Sequence, residues 1–178
     1  MSFVFILGGA KSGKSSAAVK YAMSYQSKNT ASVYFIATAT PGDEEMSEKI
    51  RRHKSERPTG FITIEEQIDL PTVISDIGQG FVIVDCMTLW IFNLLQRGYD
   101  HDSLVLMVKE LGLEMTKGRV DGIVISNDVG SGIVPADAYS RRYRDELGTA
   151  NQILAGYAEK SYLMLAGKQL LLSDGDSL

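Results

Sequence analysis

Hydrophobic positions in this chain fall into two kinds of segment. Short runs rich in β-branched and aromatic residues recur at 3–7, 32–37, 61–64, 81–85, 122–127 and 162–166, with stretches of helical character between them. Such alternation predicts an α/β domain. Several runs are apolar throughout, Phe81-Val82-Ile83-Val84 among them, where a half-exposed strand shows apolar residues only at alternate positions. Continuous runs of this kind suit a mostly parallel central sheet with helices on both faces. After the last run, Gly167-Lys168 can turn the chain back into 169–172, making an antiparallel edge hairpin at the C-terminus before a polar, frayed tail at 173–178.

Breakers and periodicity place the helices. The first runs from Lys14 to about Gln26. The second follows Pro41-Gly42 with an acidic first turn, Asp43-Glu44-Glu45, and is predicted to reach Arg57, where Pro58 stops it. Met46, Ile50, His53 and Arg57 are spaced by four, three and four, which puts them on one helical face. Further helices are expected at 89–96 and 103–116, joined across Gly98, and at 136–160 with a bend near Gly148. Repeats, low-complexity tracts and linkers are lacking, so the expectation is a single domain over 1–178.

Composition narrows the partners. The chain has 178 residues, 44% of them hydrophobic, enough for a substantial core. Lysine and arginine number 18 against 22 acidic residues, a net charge of −4, which argues against a general electrostatic grip on nucleic acid or an anionic membrane. Cys86 is the only cysteine, so an intrachain disulfide is excluded, in keeping with a reducing compartment. The N-terminal apolar run is too short for a signal peptide or a membrane span. The expectation is a cytoplasmic protein acting on small molecules.

The first run leads into Gly8-Gly9-Ala10-Lys11-Ser12-Gly13-Lys14-Ser15, the G-x-x-x-x-G-K-[ST] pattern in its strand-to-helix setting. Glycines let the backbone close around phosphate oxygens, and the following helix adds its positive N-terminal dipole. Lys14 is expected against the β- and γ-phosphates and Ser15 on Mg2+. The pattern predicts a P-loop NTPase-like α/β fold. Asp85, ending an apolar run, is the candidate for a second carboxylate ordering the metal; a helix cap near Thr88 is the plainer reading, and the two roles are compatible. His53 lies within Arg51-Arg52-His53-Lys54-Ser55-Glu56-Arg57, where cations favour the neutral, nucleophilic imidazole and help hold a polyphosphate, although a solvated basic face with an incidental histidine also fits. His101 is assigned to a surface loop. Segment 126–135 has the make-up of a strand-end active-site loop, and Arg141-Arg142-Tyr143-Arg144-Asp145 after it suits either solvent or an anionic substrate.

Taken together these segments resemble the bifunctional adenosylcobinamide kinase / adenosylcobinamide-phosphate guanylyltransferases of cobalamin biosynthesis over nearly the full length. The resemblance is carried by the phosphate loop, by Tyr34-Phe35-Ile36-Ala37-Thr38-Ala39, and by Asp43-Glu44-Glu45-Met46 leading to Ile50, His53-Lys54 and Arg57-Pro58. Asp85-Cys86-Met87-Thr88-Leu89-Trp90, Asn93-Leu94-Leu95, the Asn127 to Pro135 loop, and Arg142-Tyr143-Arg144-Asp145 through Gly148 to Asn151-Gln152 complete it.

The resemblance implies two reactions. The aminopropanol hydroxyl of adenosylcobinamide is phosphorylated from ATP or GTP, and GMP is then transferred from GTP to that phosphate with release of pyrophosphate, through a GMP-histidine intermediate matching His53. It further implies nucleotide contacts at Gly8, Gly9, Ala10, Lys11, Ser12, Gly13, Lys14, Ser15, Ala37, Thr38, Ala39, Lys54, Ser55, Glu56, Arg57, Glu65 and Asp85, with Ser15 and Asp85 at the metal, and a homotrimeric assembly. Two positions depart from the family: Asp128 stands where glutamate is usual, and Lys49 where arginine is usual. Neither removes an essential chemical group. Two other readings remain at this point, a P-loop kinase of another small metabolite and a nucleotide-dependent regulatory switch.

Overall fold

The computed structural model describes residues 3–42 and 44–174, with the backbone alone at Lys49. Asp43, expected in the first turn of the second helix, the Lys49 side chain and tail residues 175–178 lie outside the described residues. The element order is β1 (Phe3–Gly8), α1 (Lys14–Asn29), β2 (Val33–Ala37), α2 (Glu44–Ser55), β3 (Phe61–Glu65), α3 (Leu70–Asp76), β4 (Gly80–Asp85), α4 (Met87–Gln96), α5 (His101–Thr116), β5 (Val120–Asn127), α6 (Ala138–Tyr157), β6 (Lys160–Leu165) and β7 (Lys168–Ser173).

All strands among the described residues join one sheet in the order β3-β2-β4-β5-β1-β6-β7. Every neighbouring pair is parallel except β6 and β7. The continuous apolar runs have the expected cause, because both faces of the central strands are covered. On one face Phe3, Phe5, Val82, Val84 and Val124 pack against residues of α3, α4, α5 and α6; on the other, Ile6, Phe35, Ile83 and Ile125 meet Ala18 and Ala22 of α1. No helix among the described residues is long and apolar enough to cross a membrane.

Local chemistry explains where the elements depart from expectation. The short α3 escaped the sequence reading, although its start is marked: Pro71 lies in its first turn and the Asp69 carboxylate accepts from Thr72 N at 3.3 Å. The hairpin turns at Ala166-Gly167, one residue earlier than expected, with φ of 50° and 75°, the left-handed pair that a two-residue hairpin needs. α2 stops at Ser55. Pro58 disfavours helical geometry at Arg57, which leaves the stripe of Met46, Ile50 and His53.

His101 is a second correction, since it is the first residue of α5 and not part of a loop. Asp100 caps that helix by accepting from Ser103 N at 2.9 Å, and His101 Nδ1 lies 2.8 Å from Glu146 Oε2 of α6. The hydrogen bond to this buried carboxylate, reinforced by its charge, raises the imidazole above its ordinary value.

α5 and α6 approach closely at Gly112, where an added Cβ would lie 2.4 Å from the Tyr157 ring. Gly112→Ala is expected to lower unfolding stability by about 1–3 kcal/mol, read as a reduced urea midpoint with an unchanged slope. His101 is expected to titrate above the ordinary imidazole range in an NMR pH series, and Glu146→Gln to bring its midpoint down. Because the folded value is raised, any stabilisation from this pair is present below the unfolded imidazole value and lost as pH rises through the folded one.

Candidate active site

Parallel register brings the chemistry to one edge of the sheet. Ala37 pairs with Glu65 on one side and with Asp85 on the other, so three strand-terminal residues form a row across β3, β2 and β4. Gly8, the last residue of β1, pairs with Asn127, the last of β5. Crevices at the C-terminal ends of such strands are the usual ligand sites of open α/β sheets.

The phosphate loop rises from Gly8. A Cβ there would lie 2.4 Å from Met164 O and 2.9 Å from Ser12 Oγ, so only glycine lets the loop press against β6. Gly13, with φ of 98°, takes the left-handed turn that starts α1. Lys14 is buried, and its Nζ donates to Gly8 O at 2.8 Å, Gly9 O at 2.6 Å and Ser12 Oγ at 3.4 Å. Burial lowers this ammonium from its ordinary value, while the Asp85 carboxylate acts to raise it. The loop thus curls around a cation using its own carbonyls.

Asp85 is the electrostatic centre of the row. Burial pushes its carboxyl above the usual range; the hydrogen bond from Ser15 and the neighbouring His53, Arg57 and Lys14 side chains pull it the other way. The structure therefore brings together Ser15 and Asp85, the two candidate metal ligands, and sets His53, Lys14 and Arg57 within electrostatic reach of them. Residues here suit a magnesium–phosphate complex: two hard oxygen donors meet beside a loop of backbone N–H groups. Among the described residues no cluster of three or more His, Cys, Asp and Glu side chains forms a protein-only metal cage. Such an arrangement suits an ion that draws its remaining ligands from phosphate and water.

Thr38 has a different part. Its Oγ1 accepts from Cys86 N at 2.8 Å and donates to Cys86 O at 2.7 Å, and Thr38 N donates to Asp85 O at 3.2 Å. Asn93 Nδ2 in turn donates to Thr38 O at 2.8 Å. This side chain clamps β2 to the turn after β4 and fixes where Asp85 ends. Ala37 is buried beside it and Ala39 is half-buried. The Cys86 thiol is pushed up to about 11 by burial, with the Asp85 charge adding to the shift, and so behaves as a small packed group.

Beyond α2, the Arg57 guanidinium stacks 4.1 Å over the Phe35 ring and donates to Thr63 Oγ1 at 3.3 Å, leaving Nε buried with no hydrogen-bond partner among the described residues. Burial lowers it, and Asp85 and Glu65 oppose that effect. Lys54 Nζ lies 2.7 Å from Glu65 Oε1, a hydrogen bond that holds the Glu65 carboxyl below its ordinary value. His53, Lys54, Ser55 and Glu56 are exposed. Sequence reasoning missed Phe35 and Thr63 as supports for Arg57. A strand pattern marks such residues as inward-facing and says nothing of a cation resting on them.

With this geometry in view, family comparison is decisive. The model of the cobinamide kinase / cobinamide phosphate guanyltransferase family matches residues 4–172. The chain belongs to this family. Relatives of the cobinamide kinase / cobinamide phosphate guanyltransferase family include the bifunctional adenosylcobalamin biosynthesis protein CobP of Pseudomonas aeruginosa, 39% identical over 170 residues, covering 91% of this chain and 92% of that protein. The bifunctional adenosylcobalamin biosynthesis protein CobU of Escherichia coli K12 is 30% identical over 178 residues, covering 92% and 96%. The matched span takes in the phosphate loop, the whole Glu65–Ala37–Asp85 row and the His53 helix.

Thr38→Val removes the hydroxyl at nearly constant volume and leaves the Cys86 backbone without its partner. The expected outcome is a loss of about 1–3 kcal/mol in unfolding stability, together with weaker nucleotide binding in a titration, because Asp85 loses its anchor.

Proposed function

We propose that this chain carries out both reactions of its family in one domain: phosphorylation of the aminopropanol hydroxyl of adenosylcobinamide from ATP or GTP, then transfer of GMP from GTP to the new phosphate. Adenosylcobinamide-GDP and pyrophosphate are the products. The observation that supports this most strongly is the gathering of Lys14, Ser15, Asp85, His53 and Arg57 at one edge of the sheet in a chain matched by the family model from 4 to 172.

In this reading the backbone of residues 8–15 binds the polyphosphate. Lys14 exchanges the Gly8 and Gly9 carbonyls for phosphate oxygens, so the loop keeps its shape when nucleotide arrives. Magnesium, held by Ser15 and Asp85, would neutralise charge on the phosphoryl oxygens when bound. For guanylyl transfer, an unprotonated ring nitrogen of His53 attacks the α-phosphorus; a P–N bond forms and the P–O bond to pyrophosphate breaks. The phosphate oxygen of the corrinoid then attacks the same phosphorus and His53 leaves. Arg57, fixed on Phe35, and Lys54 counter the charge that accumulates. Ala37, Thr38, Ala39, Ser55, Glu56 and Glu65 complete the proposed nucleotide contacts.

A cytoplasmic location and a homotrimeric assembly belong to the same proposal. Leu165, Leu170, Leu171 and Leu172, exposed on the C-terminal hairpin, offer apolar surface that a subunit contact would cover.

Incubation with GTP labelled at the α-phosphate is expected to leave acid-labile, base-stable label on the protein. His53→Ala is expected to abolish the label and guanylyl transfer while retaining kinase activity. Equal labelling of His53→Ala would remove His53 as nucleophile, and GTP binding without labelling or corrinoid phosphorylation would favour a regulatory switch.

A further inference from the structure

Two helices packed on one face of the sheet, α4 and α6, present an apolar surface that no step above uses. Thr88, Phe92 and Gln96, spaced by four along α4, face Tyr143 and Tyr139 of α6, which runs antiparallel to it. Tyr143 OH donates to Thr88 O at 3.1 Å, and Gln96 Nε2 donates to Tyr139 OH at 2.7 Å. Between them the Phe92 ring stands edge-on to Tyr143 and Tyr139, with centroids 6.0 and 6.4 Å away. Phe92 and Tyr139 remain 37% and 41% exposed.

The segment entering α6 adds Ile133 and Val134, exposed by 97% and 62%. Single exposed apolar residues are ordinary; several on one short, anchored segment mark a binding surface. This segment is anchored at both ends. Asp128 accepts from Gly130 N at 3.0 Å and from Ser131 Oγ at 2.6 Å, while Arg141 Nη1 donates to Pro135 O at 3.0 Å and Ala136 O at 2.6 Å.

The surface is continuous with the phosphate site. Asp128 N donates to Gly8 O at 3.2 Å, and Asn127 N donates to Thr88 Oγ1 at 2.9 Å. Its charges are spent internally: Arg141 on the loop carbonyls, Arg142 on Tyr99 O at 2.9 Å, Arg144 on Asp145. An anionic partner finds little here, whereas a broad, weakly polar one fits.

Resting on the function proposed above, we propose that Phe92, Ile133, Val134 and Tyr139 form the seat of the corrin ring of cobinamide, a large macrocycle whose rim carries neutral amides. The ring lies against apolar side chains, and the Gln96 amide and Tyr139 hydroxyl at the margin match rim amides. Seated there, the macrocycle leaves its aminopropanol arm to reach the phosphate loop. Specificity for the acceptor thus resides on α4, α6 and the loop between β5 and α6, apart from the nucleotide contacts.

The test is the double variant Ile133→Ser/Val134→Ser, whose side chains are exposed and whose replacement leaves the core intact. Cobinamide phosphorylation is measured at saturating GTP, alongside self-labelling from GTP, which involves no corrinoid. The expected result is a rise in KM for cobinamide of about tenfold to a hundredfold, with KM for GTP and self-labelling as in the parent. A second variant, Tyr139→Ser, read by direct cobinamide binding, is expected to weaken affinity in the same direction. An unchanged KM for cobinamide in a parent-active background overturns the seat alone; so does a smaller assembly by sedimentation with that KM unchanged, which gives the surface to a second copy of the chain. A parent that phosphorylates no cobinamide overturns the functional reading and the seat with it.

Discussion

A buried ammonium organises the nucleotide side of this molecule. Lys14 is withdrawn from water by the first turn of α1, and a cation so placed needs acceptors around it. Here the acceptors are the carbonyls of Gly8 and Gly9 and the hydroxyl of Ser12, so the cation's need for partners is what bends the loop. Ser15, the next residue, is then directed toward Asp85, and through Asp85 the loop is coupled to β4, Arg57 and His53. Replacing carbonyl oxygens by phosphate oxygens around the same ammonium preserves its coordination, which is why a loop can be formed before its ligand arrives.

The groups around Asp85 are held with unequal strength. Asp85 itself is fixed by sheet register and by the Thr38 clamp on the following residue. Arg57 is held by the Phe35 ring and Thr63. His53 depends on α2, a helix with no buried side chain among those described, whose C-terminal end is tied down by the exposed Lys54–Glu65 pair. Exposed pairs contribute little, on the order of 0–1 kcal/mol. The proposed nucleophile thus sits on the least anchored element of the site, and the electrostatic groups that would stabilise charge sit on the most rigid.

Much of this was legible in the sequence because it is local. The phosphate loop is one contiguous pattern, and β4 announces itself by an unbroken apolar run ending in Asp85. The parallel sheet follows from the same runs, since strands buried on both faces have no polar alternation to show. What was hidden depends on pairs distant in the chain. His101 gave no sign of Glu146, 45 residues away, and the Arg57–Phe35 stack joins the segment after α2 to the middle of β2. Arg57 leaves its predicted stripe for a local reason, since Pro58 disfavours helical geometry at the residue before it and α2 ends at Ser55. α3 was missed because seven residues hold too few turns for periodicity to register, although Asp69 and Pro71 marked its start.

The hairpin of β6 and β7 touches the phosphate loop directly. Met164 O lies against Gly8, and Gly167 N donates to Ser12 O at 3.0 Å. β1 has β5 and β6 as its neighbours, so it meets its partners only when residues 120–127 and 160–165 have been made. On the ribosome, therefore, the phosphate loop cannot take its final shape until β6 and the turn at Gly167 have emerged. Nucleotide has no finished loop to bind before then, and completion of the loop coincides with β1 gaining both of its neighbours.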